Sequence, residues 1–417
     1  MFRYAYGFAL AVALGTLSTA AALAQDVTVN ALFMSQAAYS EADVRSMIAD
    51  FEAANPGIKV NPEFVASEAL HDKLVASSSA GGGGYDVALY DVPYLAEFAS
   101  KGFLQEVTAR VPAEVNDQVF DGAWATALYD GRKWGMPWIL DTKYLFYNKD
   151  MLAKAGIDAP PATFEELLAA AQKIKDAGLV EYPIVADWAQ AETIICDYGT
   201  LMAAYKANFF DADNKPAFAS PESLKAVQFM KDTLASGLTN PSSTEYFEED
   251  VRKVFSAGEA AFALNWAYMF NLANTPGDET SIAGQVGIAP APGAEGGAAN
   301  SAINGSMGLG IPSNAAHPDE AWKLITYMTS QAVQNKYAKL SLPIWKSSYD
   351  DPAVAAGQEQ LVAAAKTSIA IISNRPVTST YNEVSAILQN ALHQVLVGGE
   401  DPAAAMQAAS DEASNLR

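Results

Sequence analysis

The order in which hydrophobic periods change over residues 26–65 narrows the fold more than any other feature of this chain. Val27, Val29, Ala31 and Phe33 alternate, which fits a strand. Ser40 with Asp43 reads as a capping box, and Val44, Met47, Ile48 and Phe51 then place one apolar stripe on a helix. Asn55-Pro56-Gly57 stops that helix, and 58–65 returns as a second strand. Strand, helix and strand in this order predict a parallel α/β sheet with a right-handed crossover. Ligands of such sheets lie beyond the carboxyl ends of the strands. Ser35 and Gln36, which leave the first strand, are therefore candidate ligand contacts.

The pattern continues along the chain. A helix is expected over 67–79, then Gly81 to Gly84, then a strand over 85–90 that ends at Asp91. Phosphate-cradling glycines follow a strand and open a helix, whereas these precede a strand, so they read as a flexible surface turn. Asp91 stands either as a ligand acid or as the cap of a helix over 93–101. From Asp130 to Ile157 the chain reads as a turn, a short strand over 133–136 ended by Pro137, a buried strand over 144–147, and a helix closed by Gly156. One acid, Asp141, sits between the two strands. Further on, Thr163 with Glu166 caps a helix, and a strand over 182–186 delivers Asp187 and Trp188 into a loop. A small-residue strand over 260–264 is left by Asn265, Trp266, Ala267 and Tyr268. The run from Asn304 to Gly310 has a glycine rhythm but enters a strand, against a dinucleotide fingerprint. Arg375-Pro376 precedes the longest expected helix, 381–397.

Totals bound the function. A chain of 417 residues holds about two or three domains, and a net charge of -22 repels nucleic acid and anionic lipid. Arg3, the apolar stretch Phe8 to Leu17 and Ala22-Leu23-Ala24 form a cleavable leader over 1–24, implying export to the periplasm. No cysteine follows the cleavage point to carry a lipid, so a soluble monomer is expected. Cys196 is the only cysteine, and His71, His317 and His393 stand far apart, so neither a metal site nor a cofactor is expected.

Five stretches, in order, resemble one family. They are YDVALYDVPYLAEFASKGFL, the segment Asp130 to Ile157, FSAGEAAFALNWAY, NGSMGLGIPSNAAHPDEAWKLITYMTS and RPVTSTYNEVSAILQNALHQVLVGGEDPAAAM. Together they resemble the extracellular solute-binding proteins of ABC sugar importers (family 1), in the trehalose- and maltose-binding branch. The resemblance implies a two-lobed periplasmic-binding-protein fold, each lobe a mainly parallel sheet flanked by helices, joined by several hinge crossings. It divides the chain into a first lobe of 25–136 with about 271–330 and a second of 137–270 with about 331–417. It implies a neutral sugar or sugar alcohol held between the lobes and delivered to membrane permease subunits.

Carried over residue by residue, Asp91 and Asp141 fall on hydroxyl-binding acids, Trp266 on a stacking ring, Gly305 on a glycine against the sugar, and Arg375 on a cleft arginine. This sequence departs from the family at Ser306, where disaccharide binders often have tryptophan; Trp345, Trp188 or Trp138 is expected to replace that ring, and Ser306 itself, with Asp187, Trp188 and Tyr268 in the loops that leave strands, is expected to touch the ligand. Carboxylates accept sugar hydroxyls in strong charge-assisted bonds, and an aromatic ring covers the apolar C–H face. Two alternatives remain open from the residues: an exported glycoside hydrolase with paired carboxylates, excluded if they stand beyond about 9.5 Å, and the same fold binding a polyamine or a metal.

Overall fold

The computed structural model describes Met1 and residues 26–79, 84–277 and 279–416. The expected leader, apart from Met1, and the glycines at 81–83 lie outside the described residues. β1 (Val27–Met34) and β2 (Ile58–Val65) pair in parallel, Val27 opposite Ile58 through Met34 opposite Val65, and α1 (Glu41–Ala54) connects them. Ser40 caps α1 as expected. Its Oγ accepts from the Asp43 N–H, and its own N–H donates to the Asp43 carboxylate at 2.9 Å. All four residues of the apolar stripe are buried, and removing a ring such as Phe51 from this seam should cost about 3–5 kcal/mol.

The remaining strands of the two main sheets are β3 (Val87–Asp91), β4 (Met136–Ile139), β5 (Tyr144–Asn148), β6 (Ile184–Val185), β7 (Phe262–Asn265), β8 (Val286–Pro292), β9 (Asn300–Ser301) and β10 (Met307–Gly310). They form two five-stranded sheets, ordered β2-β1-β3-β10-β4 and β6-β7-β5-β8-β9. In each sheet most strands run one way. In each, a reversed strand is the one the chain enters after crossing over, and in the second sheet the two-residue β9 is reversed as well. β5 runs antiparallel to β7 and β8, and β10 runs antiparallel to β3 and β4. Residues 140–143 and 302–306 make these crossings, and 373–375 lies beside them. Thr142 bridges Asn304, and Ile303 bridges Ser373.

β5 shows why its sequence carries no polar alternation. Tyr144 and Phe146 face one hydrophobic cluster while Leu145 and Tyr147 face another, so both sides are dry. The first cluster fills the first sheet and one side of the second. The other holds α3 (Phe164–Asp176), α4 (Glu192–Ala204), α5 (Pro221–Ala235), and the two C-terminal helices 381–396 and 402–413 against the second sheet.

Three expectations change. Pro137 does not end a strand but lies inside β4, opposite Gly308 next to a register shift. β4 is the outer strand, where a missing N–H removes no ladder bond. β8, expected in the first lobe, pairs with β5 in the second sheet. Residues 331–345, expected in the second lobe, attach to the first: Lys336 pairs with Asp50 at 2.5 Å, and the Gln334 amide donates to the Trp138 carbonyl at 2.8 Å. Periodicity identifies an element but not the sheet that receives it.

Candidate functional site

The carboxyl ends of β1 and β3, the crossings, and the loops after β6 and β7 enclose a cavity of about 490 Å³. Ser35, Gln36, Asp91, Asp141, Trp266, Tyr268, Gly305 and Arg375 all line it, so the structure brings eight of the expected residues together. Asp187, Trp188, Ser306 and Trp345 do not face it.

Asp141 stands in the first crossing and is 4% exposed. Its Oδ1 accepts from Thr142 N–H at 2.8 Å, and its two oxygens accept from Ala267 N–H at 3.3 and 3.2 Å. Burial pushes its carboxyl up to about 7, against the pull of those amides and of Lys143. Its own N–H donates to Ser306 Oγ at 3.2 Å, and its carbonyl accepts from Gly305 N–H at 3.1 Å. Ser306 is thus a buried brace between two crossings. Buried between the crossings, its hydroxyl does not line the cavity, which corrects its assignment as a ligand contact.

Asp91 closes β3 and does both jobs weighed from the sequence. It caps the turn that follows, accepting from Val92 N–H at 2.7 Å, and it takes Arg375 Nη2 on both oxygens at 2.8 Å. Burial raises its carboxyl although Arg375 draws it down. Arg375 reaches further, with Nη1 donating to Glu192 at 2.6 Å and Nη2 to the Asn304 carbonyl at 3.2 Å. Glu192, the first residue of α4, also accepts from the Tyr381 and Ser385 hydroxyls. The arginine is therefore neutralised from both walls at once.

The aromatic side is built by the loop after β7. Trp266 Nε1–H donates to Glu248 at 3.4 Å, and the Lys143 ammonium lies 4.8 Å from the indole centroid. A Cβ on Gly305 would overlap Cζ3 and Cη2 of Trp266, so only glycine lets the ring take this place. Lys143 itself is fully buried, 2.5 Å from Asp187 and 3.2 Å from Asp197. Burial alone would lower its ammonium, but the two carboxylates raise it, while burial and Asp197 push Asp187 well up.

This explains the residues that miss the cavity. Asp187 is the buried counterion of Lys143. Trp188 is buried and donates its indole N–H to Asp197 at 3.0 Å. Trp345 donates to the Thr329 carbonyl at 2.9 Å, away from the cleft. Trp138 packs beside Phe33 and Tyr39. No tryptophan replaces the absent ring; the other aromatic linings are Tyr94, Phe247 and Tyr268.

Sequence reasoning missed Glu192, Glu248, Tyr94 and Phe247. Glu192 and Glu248 begin helices, where an acid reads only as a favourable first-turn charge. Among the described residues no group of three or more His, Cys, Asp or Glu side chains is placed to hold a metal, and no helix is long and apolar enough to cross a membrane.

A profile described as bacterial extracellular solute-binding protein matches residues 37–335. A Brucella abortus protein described as a binding protein is 26% identical over 377 residues, covering 88% of this chain and 87% of that one. The maltose-bound MalE3 of T. maritima superposes with a TM-score of 0.85 at 30% identity, covering 93% of this chain and 98% of that one. A solute-binding protein of an ABC transporter from Thermotoga lettingae, bound with α-D-tagatose, gives 0.83 at 28%, covering 93% and 99%.

Proposed function

Because the chain belongs to the bacterial extracellular solute-binding protein family, we propose that it captures a sugar or sugar alcohol between its two sheets and hands it to the permease subunits of an ABC importer. The observation that carries this is the cavity wall: acids that accept hydroxyls, Asp91 and Asp141, stand with Trp266, a ring able to cover a sugar's C–H face. A solute touching residues of both sheets stabilises the arrangement in which both can reach it, which is how capture becomes a signal to a permease. The ligand contacts are Ser35, Gln36, Asp91, Asp141, Trp266, Tyr268, Gly305 and Arg375. The working form is a soluble monomer beginning at Gln25 after removal of the leader, and it binds its cargo without turning it over.

A thermal-shift screen with sugars and polyols tests the reading, followed by calorimetry on Trp266→Ala. A hit whose affinity falls about tenfold or more on loss of the ring supports it, each factor of ten being about 1.4 kcal/mol. Equal affinity in Trp266→Ala, or product formation by the parent, would overturn it.

A further inference from the structure

We propose that the solute taken by this cleft carries a protonated nitrogen, an amino sugar or amino polyol rather than its all-hydroxyl counterpart; this rests on the carbohydrate reading above. The argument is one of charge balance around the cavity. At one end, Arg375 is the cation that would repel such a ligand, and it is held by Asp91 and Glu192, two acids to one base. Around Trp266, Asp141 and Glu248 face the cavity, and Lys143 behind the ring is already engaged by Asp187 and Asp197.

The partners of the two cavity acids are dipoles rather than ions. Asp141 receives backbone amides from Thr142 and Ala267, and the Glu248 carboxylate receives the indole N–H of Trp266. Buried charge is stable only when it is paired or neutralised. Hydroxyl groups satisfy the hydrogen bonds of these acids but supply no charge to pair with them, so burial continues to favour their protonated forms. An ammonium satisfies both, with three donors and one positive charge. The remaining lining acids deepen the field: Glu68 lines the opposite side, and Glu249 is tied to Arg252 at 2.9 Å. A metal ion is the weaker candidate, since no described cluster offers it a ligand set.

The first sheet supplies the complementary surface. Met34, Val65, Leu70 and Met307 line its side, with Glu68 and Asp91 among them. That wall therefore offers apolar surface together with further carboxylate acceptors, which suits a ligand with one C–H edge and one polar, positively charged edge.

Matched pairs test this by calorimetry, at a pH where the amine is protonated: D-glucosamine against D-glucose, and 1-amino-1-deoxysorbitol against sorbitol, with N-acetylglucosamine as the uncharged nitrogen. At least one amine should bind about tenfold or more tighter than its hydroxyl partner, and the gap should close in Glu248→Gln. Asp141→Asn gives the same reading should Glu248→Gln fail to fold. Hydroxyl partners that bind as tightly as their amines in both pairs refute the inference and leave the carbohydrate reading standing. So does a gap that survives both substitutions. If no compound of a broad sugar and polyol screen binds, both fall.

Discussion

Replacing Asp141 by asparagine should make the empty protein more stable and the liganded one weaker. In the folded chain burial moves this carboxyl from an ordinary 3.8 to about 7. A folded state that holds a proton more tightly than the unfolded state loses stability as pH rises. The loss begins near pH 4 and is complete above about pH 7, and it amounts to about 4 kcal/mol, since each pKa unit is about 1.36 kcal/mol. The substituted amide carries no charge to desolvate and its Oδ1 can still accept from Thr142 and Ala267, but its NH2 takes the place of the oxygen that faces the Ala267 N–H, and that donor-to-donor contact returns about 1–3 kcal/mol of the gain. The net expectation is a variant about 1–3 kcal/mol more stable than the parent at pH 8 and equal or slightly less stable at pH 4, by denaturant titration. Binding should move oppositely. An anionic acceptor in a dry cleft contributes about 1.5–3 kcal/mol per bond, so affinity should fall about tenfold to a hundredfold at pH 8. The parent's affinity should also decline below pH 7 as Asp141 takes its proton, while the variant stays flat through that window. A variant less stable than the parent at every pH, or one that binds as tightly, refutes the reasoning.

Three further outcomes follow from the same contacts. Lys143→Met leaves Asp187 and Asp197 buried without their cation, so its denaturation midpoint should drop by about 3–5 kcal/mol equivalent; an unchanged midpoint would show that the cluster carries no charge. Gly305→Ala sets a methyl group into the Trp266 indole, so the ring must move, and both tryptophan emission and ligand affinity should change with the midpoint nearly constant. Intact-mass analysis of the exported protein should give a chain beginning at Gln25 with no lipid; a retained Met1 or an added acyl chain removes the leader reading.

Much of the scaffold was legible because its signals are local. The capping box at Ser40, the C-cap at Gly156 with its positive φ of 66°, and the strand, helix and strand over 26–65 need only neighbours in sequence. Asp91 and Trp266 were legible as cavity residues, since each ends or follows a strand and ligands lie beyond the carboxyl ends in this class of sheet; Asp141, between two strands, came through the family resemblance. What escaped the sequence depends on residues meeting from distant elements. Lys143 in an apolar run makes sense only once Asp187 and Asp197 arrive around it. Asp187 and Trp188 do follow a strand, but the loop turns them inward to that lysine, and periodicity carries no sign for such a choice. Ser306 looked like a missing ring because its role, accepting the Asp141 N–H, spans 165 positions.

The same buried acids bear on how capture couples to movement. Asp91 belongs to the first sheet and Glu192 and Trp266 to the second, while Asp141, Gly305 and Arg375 sit in the crossings between them. Any relative motion of the sheets therefore changes how much water reaches these acids. With the cleft empty, keeping Asp141 dry costs about 4 kcal/mol at neutral to basic pH, a cost the empty protein bears in the arrangement described above. A solute that donates two charge-assisted bonds returns roughly 3–6 kcal/mol in the dry arrangement alone. Moving a two-state equilibrium from 1:99 to 99:1 takes about 5.5 kcal/mol of differential binding. One desolvated carboxylate is thus of the size needed to make the dry cleft dependent on cargo. Asp141→Asn removes that dependence along with the affinity, so its empty and liganded forms should differ less in small-angle scattering than the parent's do.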